Sequence, residues 1–240
     1  MHPGRVSETA PSGPRLRTIL RCQRGPWVAP LSLHSTSLTP PGTTLRHQLR
    51  AKRRSLSARE QRHHAAAATR LLILERAFRA SIRIALYLAV DGELDPMPLL
   101  TRRPARTRQW YLPVLRRHQP GRLWLARWRP GEPLRPNRYG IGEPARRHRR
   151  LHHPRQLDLI LLPLVGFDAD CNRLGMGAGF YDRSLAFLRQ RCCWRRPRLI
   201  GLAHECQRLP SIDPRPWDIP LDAVVTEARV YHRTRPNGEV

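Results

Sequence analysis

The sequence predicts an α/β fold in three layers: a central, largely parallel sheet with helices on both faces. Two apolar runs carry that expectation. "IRIALYLAV" (82–90) and "LDLILLPLV" (157–165) are too continuously apolar for strands wetted on one side, and fit strands covered on both faces. The order of segments agrees, because short β-like runs alternate with turns and helix-like stretches. With 240 residues, 40% of them apolar, the chain is long enough to bury one good core.

Residues 1–41 are rich in Pro, Ser, Thr and Gly and show neither helical nor strand period. They are expected to be disordered, or to reflect a translation start set too far upstream; no continuous apolar run leads to a small-residue cleavage site, so no signal peptide is expected. A single domain then spans 42–240. In "LRHQLRAKRRSL" (45–56) leucine recurs at 45, 49 and 56, which predicts a basic amphipathic helix with Arg46, Arg50 and Arg54 on one face. "SAREQRHHAAAATRLLILERAF" (57–78) opens with Ser57 and Glu60 in capping-box spacing and predicts a second, longer helix. Strands are expected at 82–90, 108–115, 122–128, 157–165, 198–203 and 221–225, with helices at 96–103 and 180–191. The segment 129–155, dense in Pro, Gly and Arg, reads as a long surface excursion.

The formal charge of +26 invites a nucleic-acid reading. Against it, Lys52 is the only lysine among 44 basic residues, and the arginines are scattered rather than gathered in one stripe. A GC-rich coding bias accounts for such usage, so no specific nucleic-acid partner is expected. Every apolar run is interrupted well short of the roughly 20 residues a membrane span needs. The five cysteines lack a C-x-x-C pair or a spaced Cys/His ligand set, which points to a reducing cytoplasm. The pairs His63–His64 and His152–His153 lie among arginines and are expected to be solvated surface.

The chemistry concentrates in "RLGMGAGFYDR" (173–183), with glycine at 175, 177 and 179 between an apolar strand and a helix-like segment. Such spacing permits positive φ and a close approach of backbone to a ligand. It is neither a P-loop nor a dinucleotide fingerprint, and it fits a phosphate cradle or a tight turn equally well. Asp182 sits in the first turn of the following helix, where it serves the helix or holds Mg²⁺ beside phosphate oxygens. Glu93 in "DGELDP" (91–96) follows a buried strand at the sheet's carboxyl edge, where ligands collect; a solvated loop acid is the alternative. Asp218, between two prolines in "PWDIPLDAVVTE" (216–227), shapes a turn or serves the site.

Taken in order, "LRHQLRAKRRSLS", "YLAVDGELDP", "YLPVL", "YGIGEP", "DLILLPLVGFD", "RLGMGAGFYDR" and "PWDIPLDAVVTE" resemble the 5-formyltetrahydrofolate cyclo-ligase family over about residues 43–230. The resemblance implies a cytoplasmic, monomeric enzyme that uses ATP and Mg²⁺ to phosphorylate the formyl oxygen of 5-formyltetrahydrofolate. Nitrogen 10 then closes the ring, expelling phosphate and giving 5,10-methenyltetrahydrofolate. By position it implies ATP contacts at Arg46 and at Arg173, Leu174, Gly175, Met176, Gly177, Ala178, Gly179, Phe180 and Tyr181. It implies folate contacts at Leu88, Glu93 and Met176 to Phe180, and magnesium carboxylates at Asp182 and Asp218. The family often carries a lysine four residues before Arg46, where this chain has Gly42; Arg50, on the same helical face, is a candidate to supply that charge. A basic RNA-associated protein, or another ATP-using ligase or kinase on this scaffold, are the competing readings.

Overall fold

The computed structural model describes residue 1 and residues 42–101, 108–116, 118–145, 150–190 and 196–234. The chain divides into two units, Met1–Leu38 and Thr39–Val240, and the second is described below. Apart from Met1, the expectation for the tail 1–41 lies outside the described residues.

The chain enters through α1 (Gly42–Arg54) and α2 (Ala58–Leu72). Ser57 and Glu60 form the expected capping box: Ser57 Oγ accepts from Glu60 N at 3.2 Å, and Glu60 Oε2 accepts from Ser57 N at 2.7 Å. The predicted helix to Phe78 does not run through. Leu74 N and Glu75 N donate to Leu71 O and Leu72 O, tightening the end of α2, and the chain restarts as α3 (Arg76–Arg79). The break leaves Leu74 exposed and turns Phe78 into the core, where a continuous helix would have to choose between Leu72 and Phe78.

The main sheet contains β1 (Arg83–Ala85), β2 (Gln109–Leu115), β3 (Leu123–Trp128), β6 (Leu151–His152), β7 (Leu159–Pro163), β10 (Arg198–Leu202), β11 (Ala223–Val225) and β12 (Val230–His232). Their order is β12-β11-β10-β7-β1-β2-β3-β6. The five strands from β11 to β2 are parallel, and β12, β3 and β6 join by antiparallel pairing at the margins. Two small pairs complete the strands: β4 (Leu134–Pro136) with β5 (Gly142–Pro144), and β8 (Gly166–Phe167) with β9 (Arg173–Leu174).

The period-2 alternation of β7 shows why its sequence is apolar throughout. Leu159 and Leu161 pack with Ala68, Leu72 and Phe78 of α2 and α3, whereas Ile160 and Leu162 pack with Leu185 of α4 (Phe180–Leu185) and Leu188 beyond it. Helices therefore cover both faces, as expected. Ile84 of β1 lies between Leu159 and Trp110 and is fully buried. Replacing it with valine should cost about 0.5–1.5 kcal/mol, read as a lower urea midpoint at unchanged slope.

Several expected boundaries move. The ladder of β1 ends at Ala85, not residue 90. Leu86 N still donates to Tyr111 O, but the chain then folds over itself: the Tyr87 hydroxyl donates to Leu94 O, so the apolar residues after β1 fill core rather than extend the strand. The helix expected at 96–103 is a 3₁₀ turn, Met97–Thr101, with 102–103 outside the described residues. The helix at 180–191 is α4 followed by a 3₁₀ segment, Ala186–Gln190. The excursion 129–155 carries the β4–β5 hairpin and strand β6. Nor are His152 and His153 simply solvated: the His152 ring meets Tyr111 edge-on at 5.0 Å, and His153 Nδ1 caps the turn Pro154–Gln156 by accepting from Arg155 N. Among the described residues no helix is long and apolar enough to cross a membrane.

Candidate functional site

The glycine loop joins β9, which pairs with β8 in a small two-stranded sheet, to α4. Gly177 (φ +101°) and Gly179 (φ +62°) take left-handed backbone; at Gly177 nothing fills the place of a Cβ, so conformation alone demands glycine there. Two arginines fix the loop by its carbonyls. Arg46 Nε, from α1, donates to Gly175 O at 2.9 Å, and Arg183 donates to Ala178 O at 2.6 Å and Gly121 O at 2.8 Å. Among the described residues no hydrogen bond engages the N–H groups of Met176, Gly177, Ala178 or Gly179. The loop thus turns its acceptors to protein cations and leaves a run of donors open, as suits an anion.

Glu93 reaches the same place from the other side. Its carboxyl is largely buried, accepts from Val90 N at 3.2 Å and lies 3.7 Å from Arg53. Burial pushes this carboxyl up, against the opposing pull of Arg53. Glu93 also acts on the phenol of Tyr181, which burial first and the Glu93 charge second hold far above its ordinary range. The loop after β1 and the end of the glycine loop therefore share one electrostatic environment, although 88 residues separate Glu93 from Tyr181.

Asp182 and Asp218 come to adjoining positions. The Arg173 guanidinium donates to Asp182 Oδ1, which also accepts from Ile219 N, the residue after Asp218. Asp218 Oδ2 accepts from Arg215 N at 2.9 Å, within the turn sequence reading had foreseen. Asp182 Oδ2 and Asp218 Oδ1 have no hydrogen-bond partner among the described residues. Arg173, Asp218, Ile219 and Pro220 line a cavity of about 150 Å³. Arg173 is nearly buried, and its Nε is a buried donor without a partner among the described residues.

Two contributors escaped the sequence reading. Arg53 is wholly buried and is the hub beneath the site: it donates to Asp91 O, Leu164 O and Asp91 Oδ2, and faces Glu93. The signal was present, since Arg53 lies four residues after the buried Leu49 and so shares its inward face. Tyr139, at the tip of the β4–β5 hairpin, sets its ring 6.0 Å from Phe180 of the glycine loop, edge to face. The same hairpin covers Leu88, whose Cδ1 lies 3.0 Å from the position of a Cβ on Gly142. Arg50 is engaged elsewhere: its Nε pairs with Asp91 Oδ2 at 2.7 Å.

This arrangement stands beside close sequence and structural similarity to known proteins. The sequence signature of the 5-formyltetrahydrofolate cyclo-ligase family matches residues 40–227. The 5-formyltetrahydrofolate cyclo-ligase of Escherichia coli (strain K12) is 37% identical over 184 residues, which are 76% of this chain and 98% of that protein. The Haemophilus influenzae protein of the same name is 34% identical over 181 residues, 74% of this chain and 92% of its own. In three dimensions the chain is similar to the NMR structure of Aquifex aeolicus 5,10-methenyltetrahydrofolate synthetase, with a TM-score of 0.67, 29% identity, and coverage of 81% of this chain and 93% of that one.

Proposed function

The chain belongs to the 5-formyltetrahydrofolate cyclo-ligase family and is a ligase of folate one-carbon chemistry, and we propose that it closes the ring of 5-formyltetrahydrofolate at the expense of ATP in the site just described. One observation supports this reading above the others: a glycine loop whose N–H groups from Met176 to Gly179 are open among the described residues is held by Arg46 and flanked by the ring pair of Phe180 and Tyr139, so an anion-binding loop and an apolar pocket adjoin.

The chemistry needs both. A formyl oxygen is a poor leaving group until it carries a phosphoryl group; nitrogen 10 then attacks the formyl carbon and phosphate departs with that oxygen. Transfer of the phosphoryl group calls for positioning and charge neutralisation more than for covalent catalysis by the protein. In our reading the N–H groups of Met176 to Gly179 hold ATP phosphates, and Arg46, set against Gly175 O, adds positive charge. Leu88, Met176 and Phe180 offer apolar surface to the folate ring, with Tyr139 closing over Phe180. Glu93 accepts from the ring N–H and amino donors of the pterin, held in place by Arg53.

The acids at the loop fit Mg²⁺. Each of Asp182 and Asp218 has one carboxylate oxygen without a hydrogen-bond partner among the described residues, and a hard cation favours one or two carboxylates alongside phosphate oxygens and water. Bound there, Mg²⁺ would supply Lewis-acid neutralisation of phosphate charge. The thiols of Cys171 and Cys206 are free, in keeping with the reducing cytoplasm we propose as its compartment.

The test is turnover of 5-formyltetrahydrofolate by the purified chain with and without ATP. Methenyl product should form only with ATP, with ADP released in equal amount; product without ATP would overturn the reading. At the residue level, Glu93→Gln should raise KM for the folate by about 10–100-fold, the worth of hydrogen bonds to a charged group, with KM for ATP nearly unchanged. An unaltered folate KM would remove Glu93 from the pocket.

A further inference from the structure

We propose that His64, His204 and Glu227 form a binding site for a divalent transition-metal ion of the zinc class, separate from the site of turnover. The three come from distant parts of the chain: His64 from α2, His204 from the start of the 3₁₀ turn Glu205–Gln207 after β10, and Glu227 from the segment beyond β11. Their ligating atoms lie within 4.8 Å of one another. His64 Nδ1 is 2.9 Å from His204 Nδ1 and 3.5 Å from Glu227 Oε1.

The hydrogen bonds around the cluster prepare it for a cation. His204 is fully buried, and its Nε2 lies 3.2 Å from Gly92 O. A carbonyl only accepts, so Nε2 carries the hydrogen and Nδ1 presents a lone pair toward His64. Glu205 N donates to both oxygens of Glu227, at 3.2 and 3.0 Å, and fixes that carboxylate beside the rings. Partners that orient ligands from behind are a hallmark of built metal sites.

Two nitrogens 2.9 Å apart share a hydrogen in the metal-free protein, with His64 Nδ1 donating to His204 Nδ1. A metal ion takes the place of that hydrogen. On a tetrahedral ion with bonds of about 2.0–2.1 Å the ligand atoms stand about 3.3 Å apart, so the rings need open by only a few tenths of an ångström. Two imidazoles and one carboxylate select Zn²⁺ and its neighbours, Co²⁺, Ni²⁺ and Cu²⁺, over Mg²⁺ and Ca²⁺. Because Gly92 immediately precedes Glu93, the ion would also stiffen the loop that carries the acid of the folate pocket.

Equilibrium dialysis of the untagged, chelator-treated full chain against Zn²⁺ tests the proposal, repeated in millimolar Mg²⁺. The wild type should hold one more Zn²⁺ per chain than His64→Ala, or bind its tightest ion at least about tenfold more strongly, and Mg²⁺ should not displace it. Glu227→Gln, which keeps the size of the side chain and an acceptor for Glu205 N, should show the same loss while melting near the wild type in the absence of metal. Zn²⁺ should raise the melting temperature of the wild type and much less that of either variant. Equal Zn²⁺ uptake by wild type and both variants, or displacement by Mg²⁺, would overturn the assignment.

Discussion

Asp218→Asn should lower ATP-dependent turnover by about 10²–10³-fold at ordinary Mg²⁺ concentrations, the scale of several kcal/mol that Lewis-acid stabilisation supplies. Its melting temperature should hardly move, because Asp218 accepts a single hydrogen bond, from Arg215 N, which an asparagine oxygen can also accept. Asp182→Asn should lose a similar amount of activity and stability as well: its carboxylate partners the nearly buried Arg173, whose Nε already lacks an acceptor among the described residues. If both acids serve one ion, raised Mg²⁺ should partly rescue each single variant, and the double variant should be only slightly worse than the worse single one. Mg²⁺ titrations of the three proteins decide the matter. Full additivity, or wild-type Mg²⁺ dependence in Asp182→Asn, would return Asp182 to the role of a helix-start acid held by Arg173.

Arg53→Met should unfold the protein about 3–5 kcal/mol more easily, the cost of leaving the largely buried Glu93 carboxyl without its cation and the Asp91 and Leu164 carbonyls without their donor. Arg53 is fully buried, so solvent screens little of this interaction, and methionine replaces most of the volume. Arg53→Lys should recover only part of the loss, because one ammonium cannot reproduce a fork that donates at once to Asp91 O, Asp91 Oδ2 and Leu164 O. Urea denaturation of the three chains measures this directly. A loss below about 1 kcal/mol in Arg53→Met would mean that Asp91 and Glu93 find partners from α1 without it, Arg50 and Arg54 being the nearest cations to Asp91.

What the sequence made legible follows from how local each signal was. The capping box of α2 spans four residues, and the apolar runs of β7 and β10 sit in the middle of a parallel sheet, so pattern and structure coincide there. The end of β1 was illegible for the opposite reason: Leu86 and Tyr87 are buried in the core and Leu88 and Ala89 pack against it, and hydropathy cannot tell that burial from a ladder. The hairpin of β4 and β5 hid in a stretch whose Pro, Gly and Arg content reads as irregular, and its strands are only three residues each. The resemblance named Arg46, Glu93, Asp182 and Asp218, but only the fold shows Arg46 on Gly175 O, and Asp182 bonded to the residue beside Asp218. By sequence His64 reads as surface, since its partners, His204 and Glu227, lie 140 and 163 residues away, beyond any spacing rule.

In the proposed reaction an anion-holding loop beside a folate pocket lets phosphoryl transfer to the formyl oxygen precede ring closure. Turnover of 5-formyltetrahydrofolate labelled with ¹⁸O in the formyl group, with mass analysis of the phosphate released, tests it most directly. If the formyl oxygen becomes the bridging oxygen of a phosphorylated intermediate, each phosphate released should carry one ¹⁸O. Unlabelled phosphate, with the ¹⁸O recovered in water, would rule out that order of steps.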